Sequence, residues 1–173
     1  MELRPLILRS NRILASTLLD VGLISIDALE KANAILMGKV QSEEIHSVSI
    51  LNILVYETEA LKETDLIDYQ VEQRGMGIIS LQNYRVRSFE LSRSNRELLR
   101  GTYTIPFDRV GDYYMLATAY ALSQPAMAHW KTILELPILT YVAPMADIIH
   151  AINDLEGEIS DEDKEAEKKE KGN

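Results

Sequence analysis

The apolar residues of this chain keep a helical period for the first 75 positions and then abandon it. Leu14, Leu18 and Val21 recur at helical spacing up to Gly22, a residue suited to stopping a helix. Ser25 can cap a second helix with Ala28, Leu29, Ala32, Ile35 and Leu36 on one face, closing at Gly38. Val48, Leu51, Leu54 and Val55 mark a third helix; Leu66, Tyr69 and Gln73 share one side of a fourth that ends at Gly75. Ser10 or Asn11 is the expected cap of the first helix, and Gln41–Glu44 the expected link between the two hairpins.

Beyond Gly75 the period shortens. Ile78, Ile79 and Leu81 read as a brief strand, and Ser92 or Ser94 caps a short helix through Leu99. Thr102–Phe107 and Asp112–Ala119 are β-compatible and predict a hairpin around Arg109-Val110-Gly111. Ser123 and Pro125 open a helix whose stripe of Met127, Trp130, Ile133 and Leu134 should face the sheet. Ile138–Val142 is a strand, and Pro144 opens a last helix through Leu155. The expected fold class is therefore α+β. Residues 1–75 form a helical subdomain of about four helices, and 76–157 a small α/β subdomain with three or more strands. Residues 158–173, rich in Asp, Glu and Lys, form a tail that is disordered or a frayed helix.

Charge narrows the partners. The formal charge of the 173 residues is −9, of which −4 lies from Glu156 onward, leaving a body with a mild acidic excess. That argues against nonspecific nucleic-acid binding. Arg85, Arg87, Arg93, Arg96 and Arg100 cluster locally and read as a solvated face, of which Arg93, Arg96 and Arg100 can add steering toward an acidic partner. With no cysteine, disulfide and thiolate chemistry are absent. Arg9 and Arg12 interrupt any signal-like run near the N-terminus, and no stretch is long enough to span a membrane; the expected location is cytoplasmic.

Catalytic patterns fail one by one. Gly38-Lys39 is followed by Val40 and preceded by Asn33 where a phosphate loop needs glycine. Gly75-Met76-Gly77 lacks the third glycine of a dinucleotide loop. His46, His129 and His150 are isolated, and only His150 has carboxylates at helical spacing, Asp147 and Asp154, on what reads as a solvated face. No nucleophile elbow is present, so the chain is expected not to be an enzyme and to hold no metal.

Several strings, in order, resemble the N-terminal domain of type II secretion and type IV pilus assembly ATPases. They are Leu18-Leu19-Asp20-Val21-Gly22-Leu23-Ile24-Ser25 with Leu29, Leu66 to Gln73, and Ile105-Pro106-Phe107. Gly111 through Ala117 and Tyr141 through Ile148, with Ala151-Ile152, complete the set, which covers about residues 10–155. The resemblance implies two helical hairpins before a small α/β part, standing here without the ATPase.

One subclass of that family binds cyclic di-GMP through two repeats, each opening Arg-Leu-Gly and closing on Gln. Here the repeats are degenerate. With Gly22 at the hairpin glycine, Ile13 takes the arginine position, Ala15 the glycine and Leu36 the glutamine; Arg12 lies one place off, a rotation of about 100° on a helix. The second copy keeps Gln73 but has Ile50, Asn52 and Glu59 at the arginine, glycine and hairpin-glycine positions. Leu14, Leu18, Leu23, Leu51 and Leu54 keep the apolar frame.

The resemblance thus implies a non-catalytic protein-interaction or regulatory module of secretion, pilus or motility machinery, an adaptor with a protein partner. The alternative is a receptor for cyclic di-GMP or a related nucleotide with an altered pocket, using Arg12, Gly22, Leu23 and Gln73. Cyclic di-GMP itself is not expected to bind. Leu23 with Arg93, Arg96 and Arg100 forms the candidate partner surface.

Overall fold

In a computed structural model, which describes residues 3–41, 48–84 and 96–170 (side chains to Gly157 in the last stretch), helix α1 spans Leu3–Asp20. It starts earlier than the cap signals suggest. Pro5 is tolerated in a first turn, and Leu6 and Ile7 extend the buried stripe one turn back. Ser10 and Asn11 therefore lie mid-helix, and both are buried.

Gly22 stops α1 with φ +76°. Its N–H bonds to Leu19 O and the Leu23 N–H to Leu18 O, both at 2.9 Å, which is the paired pattern of a Schellman cap. Ser25 Oγ then accepts from Ala28 N at the head of α2 (Ile26–Gln41).

The next two helices share an irregularity. α3 (Ile50–Asn52), capped by Ser49, widens into a π-helical turn over Ile53–Glu57. α4 (Glu63–Asp68) likewise widens over Tyr69–Gln73. Each closes with an N–H reaching back five residues, Thr58 to Ile53 O and Arg74 to Tyr69 O, and each is followed by a left-handed residue, Glu59 or Gly75. Four helices in two pairs therefore precede the sheet, as the period implies.

The sheet has four strands in the order β1-β4-β3-β2. β2 (Thr104–Val110) and β3 (Tyr113–Thr118) form the antiparallel hairpin, with Val110 opposite Tyr113 and Gly111 turning at φ +59°. Arg109 and Val110 belong to the strand, because Val110 pairs with Tyr113 and only Gly111 and Asp112 remain for the turn. A register shift between Pro106 and Asp108 bulges β2 at Phe107, whose ring meets Tyr84 at 5.0 Å and Tyr141 at 6.0 Å edge-on. β4 (Ile138–Val142) runs parallel to β3, and the two-residue β1 (Gly77–Ile78) parallel to β4.

Helix α5 (Arg96–Thr102) packs on α1 and β2, α6 (Gln124–Leu134) on α1, and α7 (Met145–Glu170) over β2 and β3. Trp130 and Leu134 are buried on the inner stripe of α6. One cluster joins Leu18, Leu54 and Leu66 from the helical half to Ile105, Leu116, Trp130 and Ile152 from the other. The change near residue 76 is a change of secondary structure within a shared core. Among the side chains described, the last buried one of α7 is Leu155; the helix continues to Glu170. Among the described residues, no helix is long and apolar enough to cross a membrane.

Candidate functional site

Two polar residues inside α1 organise one side of the molecule. Asn11 Nδ2 donates to Ile7 O at 2.9 Å and to Gly101 O at 3.0 Å, while its Oδ1 accepts from Ile50 N at 2.7 Å. The residue that reads as a cap of α1 in fact accepts the first N–H of α3, whose own cap is Ser49, and holds the end of α5. Ser10 Oγ meets Ser123 Oγ, the cap of α6, at 2.9 Å. Close approach of α1 and α5 depends on Gly101, where a Cβ would lie 2.6 Å from Ile7 Cγ2.

Beside this junction lies a cavity of about 190 Å³. Ile13, Leu14 and Thr17 of α1 form one wall, Tyr120 and Leu122 another, and Arg74 stands at the edge. Burial pushes the Tyr120 phenol above its usual range, against the neighbouring Thr17 side chain and the Arg74 charge, both of which pull it down. Behind the loop, fully buried Gln70 accepts from Ala121 N at 3.1 Å through Oε1, and its Nε2 has no protein partner.

A second hollow, about 410 Å³, is lined by Asn52, Tyr56, Arg100, Tyr103, Met145 and Ile149. The Tyr103 hydroxyl donates to Asn52 Oδ1 at 3.0 Å, and burial raises its pKa.

The sequence-derived candidates scatter. Arg12 is exposed on α1 and does not line the cavity, although its neighbours Asn11 and Ile13 do. Gly22 and Leu23 form the α1–α2 cap and do not line the cavity, with Leu23 half-buried. Gln73 is exposed, because the π-helical turn adds a residue and rotates it off the face that Leu66 and Gln70 share. Of the apolar frame, Leu18, Leu51 and Leu54 are core, while Leu14 and Leu23 are half-buried.

Among the arginines, Arg100 is engaged within the chain. It grips Glu156 through two bonds of 3.1 and 2.6 Å and Asn153 at 2.7 Å, joining α5 to α7. Arg85, Arg87, Arg93 and His46 lie outside the described residues, as do the proposed Ser92 and Ser94 caps and the side chain of Arg96. Asp147 accepts from Ser80 Oγ and Leu81 N, leaving His150 with exposed Asp154 at 3.5 Å. Among the described residues, no three His, Asp or Glu side chains group as metal ligands.

Arg74, Thr17 and Tyr120 went unread as site residues. The available signal was an arginine directly after Gln73 and before Gly75, at a helix end. Its cavity partners come from segments far away in sequence.

No family profile matches the chain, and no curated protein does. Among solved structures it is similar to the N-terminal domain of XpsE in two crystal forms. One has a TM-score of 0.52 at 16% identity, covering 83% of this chain and 94% of that one. The other has 0.50 at 17%, covering 82% and 93%. MshE with cdg gives 0.44 at 18% identity, covering 82% and 97%. At such identities the XpsE likeness is one of fold.

Proposed function

We propose that this chain is a non-catalytic interaction or regulatory module of a secretion, pilus or motility assembly, acting in the cytoplasm as an adaptor to a protein partner. The observation that carries this reading is the fold, which is similar to the XpsE N-terminal domain over four-fifths of the chain. Fold alone names no activity. Support comes from the tip of the first hairpin, where Val21 and Ile26, 37% and 61% exposed, flank half-buried Leu23. Apolar groups around a rigid cap suit an amphipathic segment of a partner.

The test is affinity capture from lysate of the source organism with wild type, Leu23→Asp and Ile26→Asp. Leu23 belongs to the cap, so Ile26→Asp is the cleaner surface variant. The expected result is that folded Ile26→Asp loses a secretion or pilus component that wild type recovers. Equal recovery by both folded variants would remove the hairpin tip as the interface.

A second reading, a receptor for cyclic di-GMP or a related nucleotide, is favoured by one observation: the cavity lies beside Arg74, next to Gln73. Its volume falls below the roughly 300–1,000 Å³ of pockets that enclose drug-sized ligands.

A further inference from the structure

We infer that the cavity between α1 and residues 120–123 is a binding site for a small monocarboxylate: one carboxylate on a short apolar body no larger than a single ring. This assignment stands independently of the adaptor reading.

Size sets the first limit. Cavities of about 150 Å³ hold a benzene-sized guest, and this one has about 190 Å³. Ile13, Leu14 and Leu122 give it apolar walls. The polar lining is mostly satisfied from within. Ser10 and Ser123 bond to each other, the Asn11 amide makes three bonds, and the Thr17 and Thr102 hydroxyls donate to Ile13 O and Leu98 O. The Arg74 guanidinium is the one charged group of the lining and has donors to offer a guest, while the Tyr120 hydroxyl, already paired with Thr17, completes the wall beside it.

Charge sets the second limit. Arg74 is the single charged residue of the lining, is exposed, and has no ion pair among the described residues. Its π-helical cap fixes the backbone, with its N–H on Tyr69 O at 3.3 Å. A guanidinium offers a planar fork that matches a carboxylate in two bonds. A phosphate would ask for more donors than one guanidinium supplies.

The test is an NMR titration of the isotope-labelled protein with isocaproate, and with isocaproamide as the uncharged control. Saturable shifts are expected at the amides of Thr17, Tyr120 and Leu122, with a Kd of about 1 mM or tighter. Both the amide and Arg74→Gln should weaken binding about tenfold or more, and Tyr120→Phe should weaken it less. Arg74 is exposed, so its variant keeps the fold, which unshifted amides elsewhere will verify. Equal affinity for acid and amide, or full binding by Arg74→Gln, would sink carboxylate recognition. Absence of saturable shifts would remove the site. Binding of acetyl-Gly-Leu about tenfold tighter than isocaproate would overturn the free-ligand assignment in favour of a chain terminus.

Discussion

Gly22, between α1 and α2, and Glu59, between α3 and α4, both hold left-handed backbone, at φ +76° and +49°. Glycine adopts that region freely, whereas the Cβ of Glu59 crowds the following carbonyl at a cost of roughly 1–2 kcal/mol. Part of that cost is recovered, because glycine loses more backbone entropy on folding. Glu59→Gly should therefore raise stability by up to about 1 kcal/mol, and Gly22→Ala should lower it by about 1 kcal/mol. Urea denaturation measures both. A lower midpoint for Glu59→Gly would mean that its side chain stabilises the turn by more than its strain costs.

Asn11→Ala should be among the most damaging single changes. It leaves the Gly101 carbonyl and the Ile50 N–H buried without that partner. Each such group costs about 1–3 kcal/mol, so a loss of about 3 kcal/mol is expected. A loss under about 1 kcal/mol would show that water or a shift of α3 replaces the side chain.

Gly101→Ala tests the α1–α5 contact. Its Cβ would meet Ile7 Cγ2 at 2.6 Å, and overpacking of this kind costs about 1–3 kcal/mol. In an Ile7→Ala background the same change should cost close to nothing. Additive effects in the double-mutant cycle would place the strain elsewhere.

Cyclic di-GMP should bind weakly or not at all. The cavity beside Arg74 is too small for it, and the arginine of the larger hollow already grips Glu156. Ile13 and Ile50 stand where the family resemblance would put the arginines of two repeats, and an isoleucine there offers none of the charge-assisted contacts worth about 1.5–3 kcal/mol each. Calorimetry on the purified chain decides the matter. Micromolar binding lost on Arg12→Ala would make the receptor reading the leading one.

What was legible in the sequence is what local chemistry decides. Gly22, Ser25 and Ser123 act where their types say they should, and the shift of period near Gly75 marks the passage from helices to sheet. Strand order was beyond reach, since pairing β1 with β4 depends on Gly77 meeting Tyr141. Asn11 reads as a cap for its own helix, and nothing nearby reveals that its partners are Ile50 and Gly101. Gln73 was placed by an α-helical period that the π-helical turn breaks. Arg100 reads as a free cation because Asn153 and Glu156 lie on a helix that follows the whole sheet. In each case the missing information is a contact between distant segments.

The Asn11 side chain also bears on how the molecule opens. It joins the head of α3 and the end of α5 to its own helix, so neither α3 nor α5 can detach from α1 without leaving a bond of the Asn11 amide unmade. Local openings release amides cheaply only where few such ties exist. The Ile50 amide should therefore exchange with solvent deuterium only when the whole body unfolds. Its protection would report the global stability of a chain whose secondary structure suggests two separate parts.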